Sequence, residues 1–223
     1  GSGIVAVVAW LLVLELFGLA ALPWSAAIFR RSPDRGALAA RLIGILAVGW
    51  LVWIGASLGF WTATAPVAAI FLGLIGIAAW IWHRWRESRC DAPPLPSLRA
   101  YAASFGLMAS VFGLFLLFRA LYPDFWQTYL GGEKPFELAY LRAVAASPEM
   151  PPYDPWYSDG AINYYYYGWH LVATVGRIPG VGITHAFQLA VPTFAAQLAM
   201  QVALIGLLLS RAGPVLRHRK RQL

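Results

Sequence analysis

The sequence predicts an all-α polytopic membrane protein with about five transmembrane helices and a large outer loop carrying juxtamembrane helices. Three observations predict it. Of the 223 residues, 60% are hydrophobic and only 12% are charged. The apolar residues arrive in runs close to the ~20 residues a helix needs to cross a bilayer. Basic residues gather in clusters between alternate runs. None of the runs alternates with the period of two that a barrel strand requires, so each is read as a helix that satisfies its own backbone.

The first run, Ile4 to Leu22, lacks the basic start and small-residue cleavage site of a signal peptide, and it carries Glu15 at mid-depth, so it reads as a true span. No basic partner for Glu15 is visible at that depth. An acid there is either functional or a paired or protonated group on a helix contact. Leu38 to Phe60, Ala65 to Trp82, Tyr101 to Leu121 and Thr184 to Ser210 supply the other four spans.

Arg30, Arg31, Arg35 and Arg41 follow the first span, and Arg84, Arg86, Arg89 and Arg99 the third. Arg211, Arg217, Arg219, Lys220 and Arg221 follow the last. The positive-inside rule assigns all three clusters to the cytoplasm, with the N-terminus and the loop 122–183 outside a plasma membrane. The net charge of +7 is then topological. A polybasic tail beside a span meets anionic lipid, and no nucleic-acid partner is implied.

The stretch 161–178 decides the parity. As a full span it would strand the basic tail outside. Asn163, His170 and Arg177 interrupt it, and its tyrosines and Trp169 suit the headgroup zone, so it is expected to lie in the interface or dip into it.

The outer loop holds six of the ten acidic residues: Asp124, Glu133, Glu137, Glu149, Asp154 and Asp159. Gly131-Gly132 reads as a turn, Lys134 to Ala146 as a short amphipathic helix, SPEMPPYDP as an extended link, and Ser158-Asp159-Gly160 as a second turn before the tyrosine helix. A loop this long is commonly functional, and its aromatic content argues against disorder.

Other chemistries find little support. Cys90 is the only cysteine, so neither an intrachain disulfide nor a thiolate metal cluster can form. The histidines at 83, 170, 185 and 218 fall on different sides of the expected membrane, which disfavours a histidine zinc site. There is no P-loop, dinucleotide fingerprint or nucleophile elbow, and no haem, nucleotide or flavin is implied.

The stretch GGEKPFELAYLRAVAASPEMPPYDPWYSDGAINYYYYGWHL, with LLVLELFGLAALPW and DRGALAARLIG near the N-terminus, resembles the YYY membrane proteins of Chloroflexi and archaea, a family defined by a domain of unknown function. The resemblance covers nearly the whole chain, and EKPFE, PPYDPW and the tyrosine block are its specific motifs. The fold of that family is similar to the GT-C glycosyltransferases, which take a sugar from a polyprenyl-phosphate donor at the outer face of the membrane. The resemblance implies an N-terminal three-helix region, 1–99, added to a GT-C-like core beginning at 100–223. Family members are longer, so the expected donor pocket includes later helices, and the fragment alone is expected to be inactive.

Inverting sugar transfer needs a carboxylate to deprotonate the acceptor and cations to stabilise the departing phosphate. The resemblance implies Glu133 as that catalytic base, with Lys134 adjacent and Glu137 one helical turn on as neighbours that tune it. The structural alternative is that Glu133 only caps the helix that follows, with Pro135 in its first turn. Asp154 before Pro155 and Asp159 before Gly160 read first as turn residues. A divalent cation held by them with Glu133 is the functional alternative, though there is no D-x-D. Four consecutive tyrosines, Tyr164 to Tyr167, sweep most of a helix circumference and cannot all meet one ligand. Tyr166, Tyr167 and His170 are expected to share a face, with Asn163 and His170 bonding hydroxyls or phosphate, in a loop folded as a lid. A non-catalytic scaffold that binds a membrane-protein partner through the loop stays open. A transporter ranks third, because polar residues in the spans are few.

Overall fold

In the computed structural model the backbone is described for residues 2–123, 132–157 and 159–220, and side chains as far as 211. Asp124, Gly131, Ser158 and the side chains of the basic tail beyond Arg211 therefore lie outside the described residues. Among the described residues seven helices are formed: α1 (Ser2–Ile28), α2 (Ala40–Ser57), α3 (Ala65–Glu87), α4 (Leu98–Leu121), α5 (Lys134–Ala146), α6 (Tyr167–Arg177) and α7 (Ile183–Lys220). Five of them, α1 to α4 and α7, are long and apolar enough to cross a membrane. No strand occurs among the described residues, only an isolated bridge between Tyr153 and Ala161. The chain is a polytopic all-α membrane protein.

Local chemistry sets several boundaries. Ser97 caps α4 by accepting from the Ala100 amide at 3.2 Å, the usual device for the orphan donors of a first turn. Thr64 is extended and Pro66 sits in the first turn of α3, where a missing N–H costs nothing. The last turn of α3 carries Arg84 and Arg86, which complement the carbonyl end of the helix.

Among the described residues the core is one large cluster, with a small second one of Tyr140, Ala143 and Ile162 beside α5. Trp10, Leu14 and Phe17 of α1 are fully buried with Val48 and Val52 of α2, Met108 and Phe112 of α4, and Met200 of α7. The regions 1–99 and 100–223 thus share their interior. Gly44 permits the close approach of α1 and α2: a Cβ there would lie 2.2 Å from the Phe17 carbonyl oxygen. The outer faces of α3 and α4 leave Ile70, Leu74, Ile77, Leu114, Leu117 and Phe118 exposed, as acyl chains would require.

Glu15 does have a basic partner, contrary to the sequence expectation. Arg41 Nε donates to Glu15 Oε1 at 2.7 Å and Nη2 to Oε2 at 2.8 Å, while Nη1 reaches Ser104 Oγ at 3.1 Å. The Tyr101 hydroxyl donates to Glu15 Oε2 at 2.9 Å, and its ring lies beneath the guanidinium at 4.9 Å. Arg41 is fully buried, so it belongs to the interior of the bundle and not to the solvated basic cluster. The cause is geometric: α2 begins at Ala40 and packs antiparallel to α1, bringing its first turn level with Glu15.

Arg30, Arg31, Arg86 and Arg211 collect at one end. Ala27 and Arg30 share a cleft with Trp82 and Arg86, and Arg211 Nη1 donates to the Arg31 carbonyl at 3.3 Å. The segment with α5 and α6 lies at the opposite end. There, Ala63 N donates to the Pro148 carbonyl at 2.7 Å and ties the α2–α3 link to the chain after α5. The tyrosine helix is shorter than expected: it starts at Tyr167, and residues 161–166 are irregular because Ile162 N is bonded to the Pro152 carbonyl at 2.9 Å instead.

Candidate functional site

Helix α5 begins at Lys134-Pro135, and Glu133 occupies its cap position. The Glu133 backbone is already helical (φ −94°, ψ −10°) and its side chain makes no capping bond. Only its carbonyl serves the helix, accepting the Glu137 amide at 2.9 Å. The carboxylate is left for other contacts. One face of α5 buries Leu141 and Val144 in the main core. Residues 133, 136, 137 and 140, at three- and four-residue spacing, form another.

Helix α6 is anchored on both sides. Arg177 Nη2 donates to the Val144 and Ala145 carbonyls at 2.7 and 3.2 Å, closing the C-terminal end of α5. Burial pushes the Arg177 guanidinium down to about 10. His170 Nε2 lies 3.0 Å from the Gly49 carbonyl, which only accepts, so Nε2 carries the hydrogen. Burial holds His170 down at about 4; the Gly49 bond opposes this and the Arg177 charge adds to it. The Tyr166 hydroxyl accepts from Trp53 Nε1 at 2.9 Å. The Tyr167 ring meets Trp53 edge-on at 5.7 Å and stacks on His170 at 5.8 Å.

Between α5 and the start of α6 opens a cavity of about 530 Å³, lined by Glu133, Phe136, Glu137, Tyr140, Tyr164, Tyr165 and Trp169. Its aromatic rings brace one another. Phe136 lies 4.3 Å from Tyr140 and meets Tyr164 edge-on at 6.3 Å, and Tyr164 and Tyr165 are 4.7 Å apart. Trp156 stacks on Phe136 at 6.0 Å, carried there by an Asx turn in which Asp154 Oδ1 accepts the Trp156 amide at 2.9 Å. Burial first, and the Glu133 charge second, raise the Glu137 carboxyl above its ordinary value. The Tyr140 phenol is raised by burial, with Asp154 and Tyr164 adding to it.

The structure therefore brings Glu133 and Glu137 together in one cavity and sets Asp154 behind Tyr140. Lys134 does not line the cavity. Asn163 is exposed and outside it, and Asp159 sits in an exposed turn at φ 62°. Tyr166, Tyr167 and His170 do cluster, but against Trp53 and Gly49 in the helix packing; the cavity takes Tyr164 and Tyr165 instead. Among the described residues no three histidine, cysteine or acidic side chains converge as metal ligands, so Glu133, Asp154 and Asp159 are not gathered into one group. Sequence reasoning missed Phe136, Tyr140, Tyr164, Tyr165 and Trp169. The helical spacing of Phe136 and Tyr140 with the two glutamates was the signal available for the first pair.

Fold and site together define a multi-pass helical membrane protein with an acidic, aromatic cavity at the end away from its basic clusters. The chain belongs to the family described as uncharacterized membrane protein (DUF2298), which matches residues 47–221. That match starts inside α2 and takes in the whole cavity. No curated protein and no solved structure matches the chain.

Proposed function

We propose that this chain forms part of a GT-C-like membrane glycosyltransferase that takes a sugar from a polyprenyl-phosphate donor at the outer face of the plasma membrane. The single observation that supports this reading is the cavity that Glu133, whose side chain makes no capping bond, lines beside Glu137 among aromatic walls suited to sugar rings. In this reading Glu133 is the base that takes the acceptor proton. Burial first, and the Glu133 charge second, raise the Glu137 carboxyl above its ordinary value, which sets the two carboxyls apart in character. Orientation follows the basic clusters: the cavity and N-terminus outside, the tail in the cytoplasm.

Lys134 and Asn163, on the chain beside the cavity, and Asp154 behind Tyr140 are secondary substrate contacts in this reading. Asp159, Tyr166, Tyr167 and His170 hold the loop in shape. A scaffold reading is favoured by one observation, the exposure of Trp156 and Tyr157 on the hairpin, which suits a membrane-protein partner.

The test is mass spectrometry of lipids that co-purify with the protein, wild type beside Glu133→Gln, coupled to a transfer assay. A retained polyprenyl-phosphate sugar, with transfer lost only in the variant, supports the enzyme. Isoprenoid lipid absent from both, with a protein partner retained by both, supports the scaffold.

A further inference from the structure

We infer that the cavity between α5 and α6 is a binding site for a cationic amine, a protonated or quaternary ammonium group carried by a small polar ligand. The inference concerns what the cavity holds and stands apart from whether sugar is transferred there. Two carboxylates one helical turn apart, Glu133 and Glu137, open onto the same space as the rings of Tyr140, Tyr164, Tyr165 and Trp169. Among the described residues no arginine or lysine lines it. The field inside is thus set by negative charge and by ring faces, which are themselves the negative part of an aromatic quadrupole.

Each part of that lining favours a cation and disfavours an anion. A phosphate or carboxylate seated against these walls would meet two glutamates at close range, so in the transfer proposed above the donor phosphate lies outside this cavity. A neutral sugar would stack on the rings and leave the glutamate pair repelling itself. An ammonium group relieves that repulsion while its methyl or methylene surface rests on the rings, the arrangement by which aromatic cages hold such groups. Burial raises the Glu137 carboxyl first, and the Glu133 charge adds to it, which is the same repulsion. Exposure also fits a ligand that comes and goes: Tyr165 is 83% exposed and Tyr164 57%, costly for solvated rings unless something covers them. At the outer surface of a membrane two sources supply this chemistry, an amine-bearing sugar and an amine-bearing lipid headgroup.

The experiment uses the chain in nanodiscs of phosphatidylglycerol, which carry neither amine nor sugar. Saturation-transfer NMR compares choline with neohexyl alcohol, its uncharged isostere, and glucosamine with N-acetylglucosamine. The expected result is that the charged member of at least one pair binds about ten-fold more tightly than its neutral partner, in the range cation–π and charge contacts supply together. Glu137→Gln and Tyr165→Leu should each weaken it several-fold. Tyr165→Leu alters a largely exposed side chain and serves if the first variant fails to fold. A stronger response to glucosamine identifies the sugar source, and a stronger response to choline identifies the headgroup. Equal binding of charged and neutral members, no binding by any of the four, or binding untouched by Tyr165→Leu overturns the inference.

Discussion

Arg41 grips both carboxylate oxygens of Glu15, at 2.7 and 2.8 Å, from the first turn of the neighbouring helix. With Tyr101 and Ser104 it joins α1, α2 and α4 at one level of the bundle. Breaking a buried pair leaves one charge uncompensated, so Arg41→Met alone should cost about 3–5 kcal/mol. The double variant Glu15→Leu, Arg41→Met should recover most of that, since an apolar pair of similar volume is often neutral. Thermal unfolding in detergent, run on both singles and the double, measures it. Additive losses would mean that the two residues are not coupled.

His170 predicts an acid limit. Its value is lowered from 6.5 to about 4 in the fold, so below pH 6.5 the unfolded chain takes up a proton that the folded chain refuses. Stability should therefore fall as pH drops from 6.5 towards 4, by up to about 3 kcal/mol at the lower end. His170→Gln should lack that slope whatever its stability at neutral pH. Melting curves across this interval compare the two.

Arg177 ties the end of α5 to α6 through two carbonyl bonds. Arg177→Met leaves these carbonyls without their charged donor and should cost about 2–3 kcal/mol. The loss should be local: hydrogen exchange in the last turn of α5 should rise well before the bundle opens. Arg177→Lys, which keeps a point charge without the planar fork, should fall between the two.

Glu137 predicts a titration with a partner. Its carboxyl is raised by burial and then by Glu133, so its contribution to stability is full below the ordinary glutamate value and is lost as pH rises through the raised one. Glu133→Gln removes the charge and should move the Glu137 titration downward, visible in isotope-edited infrared spectra of the carboxyl band. An unchanged midpoint would show that burial alone sets it.

The fold was largely legible because membrane spans are read from length and polarity, and α5 was read to its ends from Lys134 to Ala146. Glu15 was misjudged for a reason of range. Its partner lies 26 positions away at the mouth of the next helix, and depth cannot be assigned to an arginine at a helix start without the packing. The tyrosine block was half legible. Interfacial placement follows from composition, but the division of its rings depends on where the helix begins. That start is set by the hairpin bond between Ile162 and Pro152, a contact no local pattern announces. Trp169 was read as a headgroup-zone residue, but its place in the cavity depends on the docking of α6 against α5.

The tyrosine run also bears on how this segment tolerates slippage of the chain. Four identical residues deliver two rings outward and two inward, and each ring is defined by its distance from the helix start. Losing one tyrosine would draw the preceding residues forward by one place. Three of the four ring positions would still receive tyrosine, and only the outermost would change, to Asn163. Repetition here works as slack, absorbing a frame error that the single His170, three residues on and bonded to one carbonyl of α2, has no means to absorb.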